Sequence, residues 1–199
     1  MKLLPPGTAT LRAGTELYRV QRPAAPTASA SCRVGSVNLP ATPGRRGRFD
    51  LAAIHVAAFA LDPETAVYET FTRSGARAVS LSLLGARELL SLHTTVAIRV
   101  YDARPHAHHW PFVTAARYAA TQDEADEADR VHHLFGVLYA SAQRQGAQCV
   151  ALFDKPLVAS ASVLATLTPG AAAPLHAGPG GLHPAVVAAL IGAQLPLVP

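Results

Sequence analysis

The spacing of apolar and polar residues changes several times along the chain, and each change marks an expected element. Glu16–Val20 (ELYRV) alternates after a turn at Gly14 and predicts a short strand. The stretch from Gln21 to Gly47 is dense in Pro, Ala, Ser, Thr and Gly, which predicts a long surface loop. Leu51–Leu61 (LAAIHVAAFAL) is an apolar run readable as a buried strand. Asp62-Pro63 follows it at once. Aspartate is a favoured N-cap and proline suits the first helical position, so a helix is expected from here through Glu69 and Phe71 to about Arg73, ended by Ser74-Gly75.

Beyond that helix, Ala78–Leu83 alternates Val79, Leu81 and Leu83 with small residues as a half-buried strand would. Ser82 is an alternative cap for a short helix through Leu89. Thr95–Asp102 (TVAIRVYD) predicts a strand, and His106–Phe112 an irregular loop. Asp123–Leu138 has the acidic start and apolar spacing of an amphipathic helix, and Cys149–Phe153 (CVALF) reads as another strand. After Lys155 the composition turns to Ala, Pro and Gly. Pro169–Gly181 is expected to be a linker, and His183–Leu195 a short apolar helix that packs on the body or forms an interface patch. Strands and helices interleave without a strict βαβ rhythm. The expected fold class is therefore α/β in the broad sense (α+β), a single domain of mixed or antiparallel sheets with flanking helices. Residues 1–155 are expected to form that domain and 156–199 a C-terminal extension with a short helix.

Composition narrows the classes of function. At 199 residues the chain can bury one sizeable core. Half of it is hydrophobic, with alanine supplying much of that, and no run approaches the roughly 20 strongly apolar residues a membrane span requires. The opening Met1–Pro6 is too short for a signal-peptide core, so a cytoplasmic protein is expected. Cys32 and Cys149 lie far apart without a CxxC pattern, which fits a reducing compartment. The net charge is +4, with Arg45, Arg46 and Arg48 clustered. No long basic stripe with interleaved aromatics is present, so a local anion site fits better than a duplex-wide footprint.

Motifs exclude further chemistry. There is no GxGxxG or Walker-type loop, and Gly178-Pro179-Gly180-Gly181 lacks a following lysine. His106, His108 and His109 have a spacing open to zinc or nickel, but no Cys, Asp or Glu immediately joins them, so a solvated loop and no metal is the reading. His132 and His133 are adjacent on an expected helix and diverge by about 100°. Asp123, Glu124, Asp126, Glu127 and Asp129 are expected to form a solvated helix face.

Three places remain: Gly47-Arg48-Phe49-Asp50 before the apolar run, Glu69 on the helix after it, and Tyr139-Ala140-Ser141 before CVALF. The order LYRV, GRFD, an apolar strand and DPETAVYETF resembles the RES domain, a family named for an Arg, a Glu and a Ser. SLLGARELLSLHTT before the strand ending at Asp102 and LYASAQRQGAQCVALFD continue the match, so the resemblance covers roughly residues 15 to 155. It implies an ADP-ribosyltransferase-like fold and cleavage of the bond between nicotinamide and ribose in NAD, which is substrate rather than resident cofactor. It also implies a toxin held in check by an Xre-type antitoxin, as a homodimer or toxin–antitoxin hetero-oligomer, touching nucleic acid only through the antitoxin.

The residues carried over as catalytic are Glu69, Arg48 and Ser141, with Arg19 and Arg48 as NAD contacts. A carboxylate can stabilise an oxocarbenium-like ribose, an arginine fork suits a pyrophosphate or ribose hydroxyls, and a serine can orient either. The sequence departs from the family at one place: the tyrosine usual on the strand before the glutamate is Ala58 here. Phe59 beside it and His55 nearby are the candidates for a ring against nicotinamide, although a simple one-residue slip puts Phe59 on the opposite face. Without the resemblance, Arg48 reads as a surface arginine, Glu69 as a solvated helix residue and Ser141 as a turn residue. Water, phosphate and a protein side chain remain open as acceptors. The alternative to the enzyme is a RES-fold binding module that has lost activity and engages a protein partner.

Overall fold

The computed structural model describes residues 7–23, 31–72, 76–106, 118–159, 161–178 and 181–199. In chain order the elements are β1 (Thr8–Leu11), β2 (Glu16–Gln21), β3 (Ser31–Val34), β4 (Val37–Pro40), β5 (Val56–Ala60), α1 (Pro63–Phe71), β6 (Val79–Ser80), α2 (Leu81–Gly85), β7 (Glu88–Thr94) and β8 (Ile98–Asp102). They continue with α3 (Ala119–Arg130), β9 (Gly136–Ala140), β10 (Gln148–Phe153), β11 (Pro156–Val158), β12 (Ala161–Ser162), β13 (Leu167–Pro174), α4 (Pro184–Ala193) and β14 (Leu197–Val198), with single 3-10 turns at Arg104–His106 and Leu164–Thr166.

One mixed sheet organises the molecule, in the order β1-β8-β9-β10-β5-β2-β7-β13. Its pairs are antiparallel except β8 with β9. Both faces of the sheet are covered, so alternate residues of a central strand enter different cores. On β10, Cys149, Ala151 and Phe153 join α1, α3 and α4 in one core, while Val150 and Leu152 join Val37 and Leu39 of the β3–β4 hairpin in the other. That double burial explains why CVALF reads as a continuous apolar run. β9 and β10 also approach closely at Gly136, where an added Cβ would lie 2.3 Å from the Ala151 carbonyl oxygen.

Several expectations are corrected. The loop expected over 21–47 contains the β3–β4 hairpin, turned at Gly35 with φ +57°. Its short alternation, with Val37 and Leu39 buried, was masked by the surrounding turn residues. The run Leu51–Leu61 is strand only over Val56–Ala60. Val79 and Ser80 alone are extended in the segment 78–83, and Ser80 rather than Ser82 caps the next helix, accepting from the Leu83 amide at 3.2 Å. That helix ends at Gly85, and Glu88–Thr94 is a strand. Leucines fit either period. Pairing with β2 and β13 and burial on two faces decide for β7.

The strand expected from Thr95 begins at Ile98. The acidic helix stops at Arg130, His133 adopts φ +53°, and Leu138 belongs to β9 instead. The linker expected over 169–181 is, up to Pro174, the edge strand β13. Its Ala, Pro and Gly residues are mostly exposed and carry no hydrophobic signal. The backbone of β7 supplies the pairing, and prolines are tolerated at a sheet edge. The C-terminal helix forms as expected. It buries Ala185, Val186 and Ala189 and leaves Val187 and Ile191 exposed. His108 and His109 lie outside the described residues, and among those described no group of three metal-ligating side chains occurs. No helix among the described residues is long and apolar enough to cross a membrane.

Candidate active site

β2 and β5 pair at a single position, Tyr18 with Ala60. Where they splay, Arg19 takes over the bonding: its Nη1 donates to the Ala58 carbonyl at 2.8 Å and its Nη2 to the Asn38 carbonyl at 3.4 Å. A cavity of about 250 Å³ opens beside this break, walled by Tyr18, Arg19, Ala58, Glu69, Tyr139 and Cys149 among others. A gap in the sheet, rather than a long loop, makes the cleft.

Glu69 reaches the cavity because α1 is fixed at its start. Asp62 caps it, accepting from the Thr65 amide at 2.8 Å and the Thr65 hydroxyl at 2.7 Å, with Pro63 in the first turn. The turn after β9 then grips the helix. Ser141 Oγ donates to Glu69 Oε1 at 2.6 Å, and the Ala142 amide donates to the same oxygen at 3.1 Å. The Ser141 hydroxyl in turn accepts from the amides of Gln143 (3.2 Å) and Arg144 (3.0 Å). Two steps along, Arg144 Nη1 pairs with Asp62 at 2.8 Å and Nη2 with Glu64 at 2.7 Å. Glu69 is thus a charged acceptor held in one orientation with its second oxygen left for the cavity side.

Arg48 is 6% exposed. Its loop is tied to α3: Thr121 donates to the Arg48 carbonyl, and Gln122 Nε2 to the Gly47 carbonyl at 2.8 Å. Asp50 accepts from the amides of Arg46 (3.1 Å) and Gly47 (2.6 Å), and Arg45 pairs with Asp126. The guanidinium of Arg48 and the carboxylate of Glu69 both act on the Cys149 thiol. Burial pushes that thiol up, Glu69 and Asp62 push it further, and Tyr139 and Arg48 oppose them, so it stays protonated. Burial lowers the Arg19 guanidinium, while Asp50 and Tyr139 pull it back up. The Tyr18 hydroxyl, which donates to Glu16 at 2.5 Å, is pushed up to about 12 by that bond, by burial and by the charges of Glu16 and Asp62.

Of the residues singled out from sequence, Glu69 and Ser141 are in direct contact, Arg19 shares their cavity, and Arg48 meets Glu69 through their common effect on Cys149. Phe59 has its ring in the core on the far face of β5, 2% exposed, with the Arg19 guanidinium 5.9 Å from its centroid. Ala58, on the cleft face, is exposed. His55 lies outside the cavity wall, its Nε2 3.7 Å from Cys32 Sγ. Both cysteines are free thiols. Tyr18, Tyr139 and Arg144 were missed. The alternation of ELYRV does place Tyr18 opposite Arg19. Nothing local marks Tyr139, whose ring packs 4.7 Å from that of Phe49, or Arg144.

A curled mixed sheet opened at one strand pair, with a serine-held glutamate and buried arginines around the opening, defines the class of domain. The sequence matches the RES domain over residues 16–174, and the chain belongs to that family. Among solved structures, a chain of the M. tuberculosis MbcT–MbcA toxin–antitoxin complex shares the fold, with a TM-score of 0.52 and 16% identity over 82% of this chain and 85% of that one. A search of curated proteins returns no match.

Proposed function

We propose that the chain is the toxin of a toxin–antitoxin pair and that it binds NAD and cleaves the nicotinamide–ribose bond. The observation that carries this reading is the Ser141–Glu69 contact at the wall of a cavity that also holds Arg19. Breaking the N-glycosidic bond releases neutral nicotinamide and leaves cationic character on the ribose, which the oriented Glu69 carboxylate stabilises. With water as acceptor the products are ADP-ribose, nicotinamide and a proton; with phosphate or a protein side chain the same ribosyl carbon takes that nucleophile instead. Arg48 and Arg19 supply positive charge for the diphosphate or ribose oxygens. Glu69 loses little to solvation because two donors already fix one of its oxygens before substrate arrives.

Family membership and the likeness to a toxin–antitoxin complex support the assignment of a partner. That partner is an Xre-type antitoxin that closes the cleft, in a hetero-oligomer or around a toxin homodimer, in the cytoplasm. The test is release of nicotinamide from NAD by the purified protein, measured with and without inorganic phosphate. Co-expression with the neighbouring gene tests the partner: growth arrest relieved by that gene, with co-purification, is the expected result.

A second reading rests on Ala58. That position is exposed on the cleft face and offers no ring, so a domain that binds a partner without turning over NAD is the alternative. NAD left intact by protein that still captures the antitoxin decides for it.

A further inference from the structure

The ladder between β2 and β7 runs in register from Glu16–His93 to Gln21–Glu88, and the next positions outward are Arg22 and Arg87. Two arginines therefore face each other across adjacent antiparallel strands, an arrangement that costs stability when nothing lies between them. No carboxylate offsets it. Glu88, the nearest in sequence, is turned to the other side of the ladder, where Gln21 Nε2 donates to it at 2.9 Å. Arg87 Nε is buried with no hydrogen-bond partner. Burial and the charge of Arg22 both push the Arg87 guanidinium down, and no group pulls it up.

Both backbones are fixed. Asn38 Nδ2 donates to the Arg22 carbonyl at 2.7 Å. The Arg87 amide donates to the Leu84 carbonyl at 3.0 Å, and its carbonyl accepts from the Leu175 amide at 3.1 Å. The pair is thus held in place, not swept about on loops. Its position relative to the cavity is also set by the strand. Tyr18 and Val20 line the cavity, and Arg22 is the next residue of β2 on that same face, roughly 7 Å further along.

We propose that Arg22 and Arg87 form an anion subsite that takes a phosphate group of a ligand whose other end lies in the Glu69 cavity. Two guanidinium forks converging on one phosphate satisfy the orphaned Nε and turn a repulsive pair into two bidentate contacts. A span of about 7 Å is what one ribose bridges between its anomeric carbon and a 5′-phosphate, so the geometry fits a nucleoside diphosphate running out of the cavity along β2. This deepens the reading of the cavity as a dinucleotide site and rests on it.

The test uses the full chain and two probes, ADP and inorganic phosphate, with affinities measured by calorimetry for wild type, Arg22→Ala, Arg87→Ala and Arg87→Lys. ADP affinity is expected to fall about tenfold with each alanine and less with lysine, which keeps the charge but not the fork. The melting temperature without ligand is expected to hold or rise in both alanine variants, since repulsion is relieved, while the gain on adding ADP shrinks. Loss of phosphate affinity with ADP unaffected would assign the pair to a free oxyanion and still support the subsite. Unchanged affinity for both probes in both alanine variants overturns it. Nicotinamide release by wild type, assayed in parallel, separates the two ideas. If turnover is present and ADP affinity ignores both arginines, the subsite alone fails. If turnover is absent, the cavity reading fails, and phosphate binding still judges the pair.

Discussion

Replacing Ser141 by alanine removes one hydroxyl that makes three bonds, and the consequences can be worked out from them. The donation to Glu69 at 2.6 Å is a bond to a charged acceptor, a type worth about 1.5–3 kcal/mol. The Ala142 amide continues to hold the same oxygen at 3.1 Å, so the carboxylate keeps one of its two fixed donors. The lower half of that range applies, about 2 kcal/mol, or roughly 30-fold in turnover. The hydroxyl also accepts from the amides of Gln143 and Arg144, which sit in a half-buried turn that water can reach, so the cost in stability is about 1 kcal/mol. Arg144 still ties the turn to α1 through Asp62 and Glu64. Because Ser141 is argued to act through Glu69, NAD affinity should move little while turnover falls. Single-turnover nicotinamide release and equilibrium NAD binding are measured for Ser141→Ala, Glu69→Gln and the double variant. The double is expected to be no slower than Glu69→Gln alone, as for residues that act as a unit. Losses that multiply in the double variant, or wild-type turnover in Ser141→Ala, would refute the reasoning.

Other perturbations separate the remaining roles. Glu69→Gln keeps shape but removes the charge, and should cost on the order of 10²–10³ in rate with little change in NAD affinity, whereas Arg48→Ala should weaken affinity as well; the two are compared by turnover and binding side by side. Ala58→Tyr places a ring on the exposed cleft face and should tighten NAD binding; an unchanged affinity would show that the bare position is not a missing stacking contact. Glu124, 5% exposed, is pushed up to about 7 chiefly by burial, with its bond from Tyr101 opposing. Its pKa is higher folded than unfolded, so its contribution is full at pH 4 and is lost as pH rises through 7. Urea melts should show up to about 3 kcal/mol lost across that window, and Glu124→Gln should flatten the dependence. Gly136→Ala drives a methyl group into the Ala151 carbonyl and should cost about 3 kcal/mol or more, read as a large fall in melting temperature or loss of soluble protein.

Local chemistry by itself determined the start of α1 and the terminal helix. Asp62-Pro63 and His183-Pro184 are short-range signals, and a cap bonds within three residues whatever the rest of the fold does. β2 and β10 were also legible, one by alternation and one as a continuous apolar run. The candidates Arg48, Glu69 and Ser141 came from the order and spacing of fragments that match a family, a signal carried by the linear chain. β7 and β13 were not legible. Leu89, Leu90 and Leu92 favour a helix locally, and the Ala, Pro and Gly of β13 favour nothing. Each strand exists because the other offers an unpaired edge, which is a relation between segments far apart in sequence. The same holds at the site. Phe59 and Ala58 are neighbours in the chain, but the pleat of β5 sends one ring into the far core and leaves the bare position facing the cleft. Tyr139, Arg144 and the facing Arg22 and Arg87 acquire meaning only when strands come into register, since the distances that give two charges a shared field belong to the tertiary structure alone.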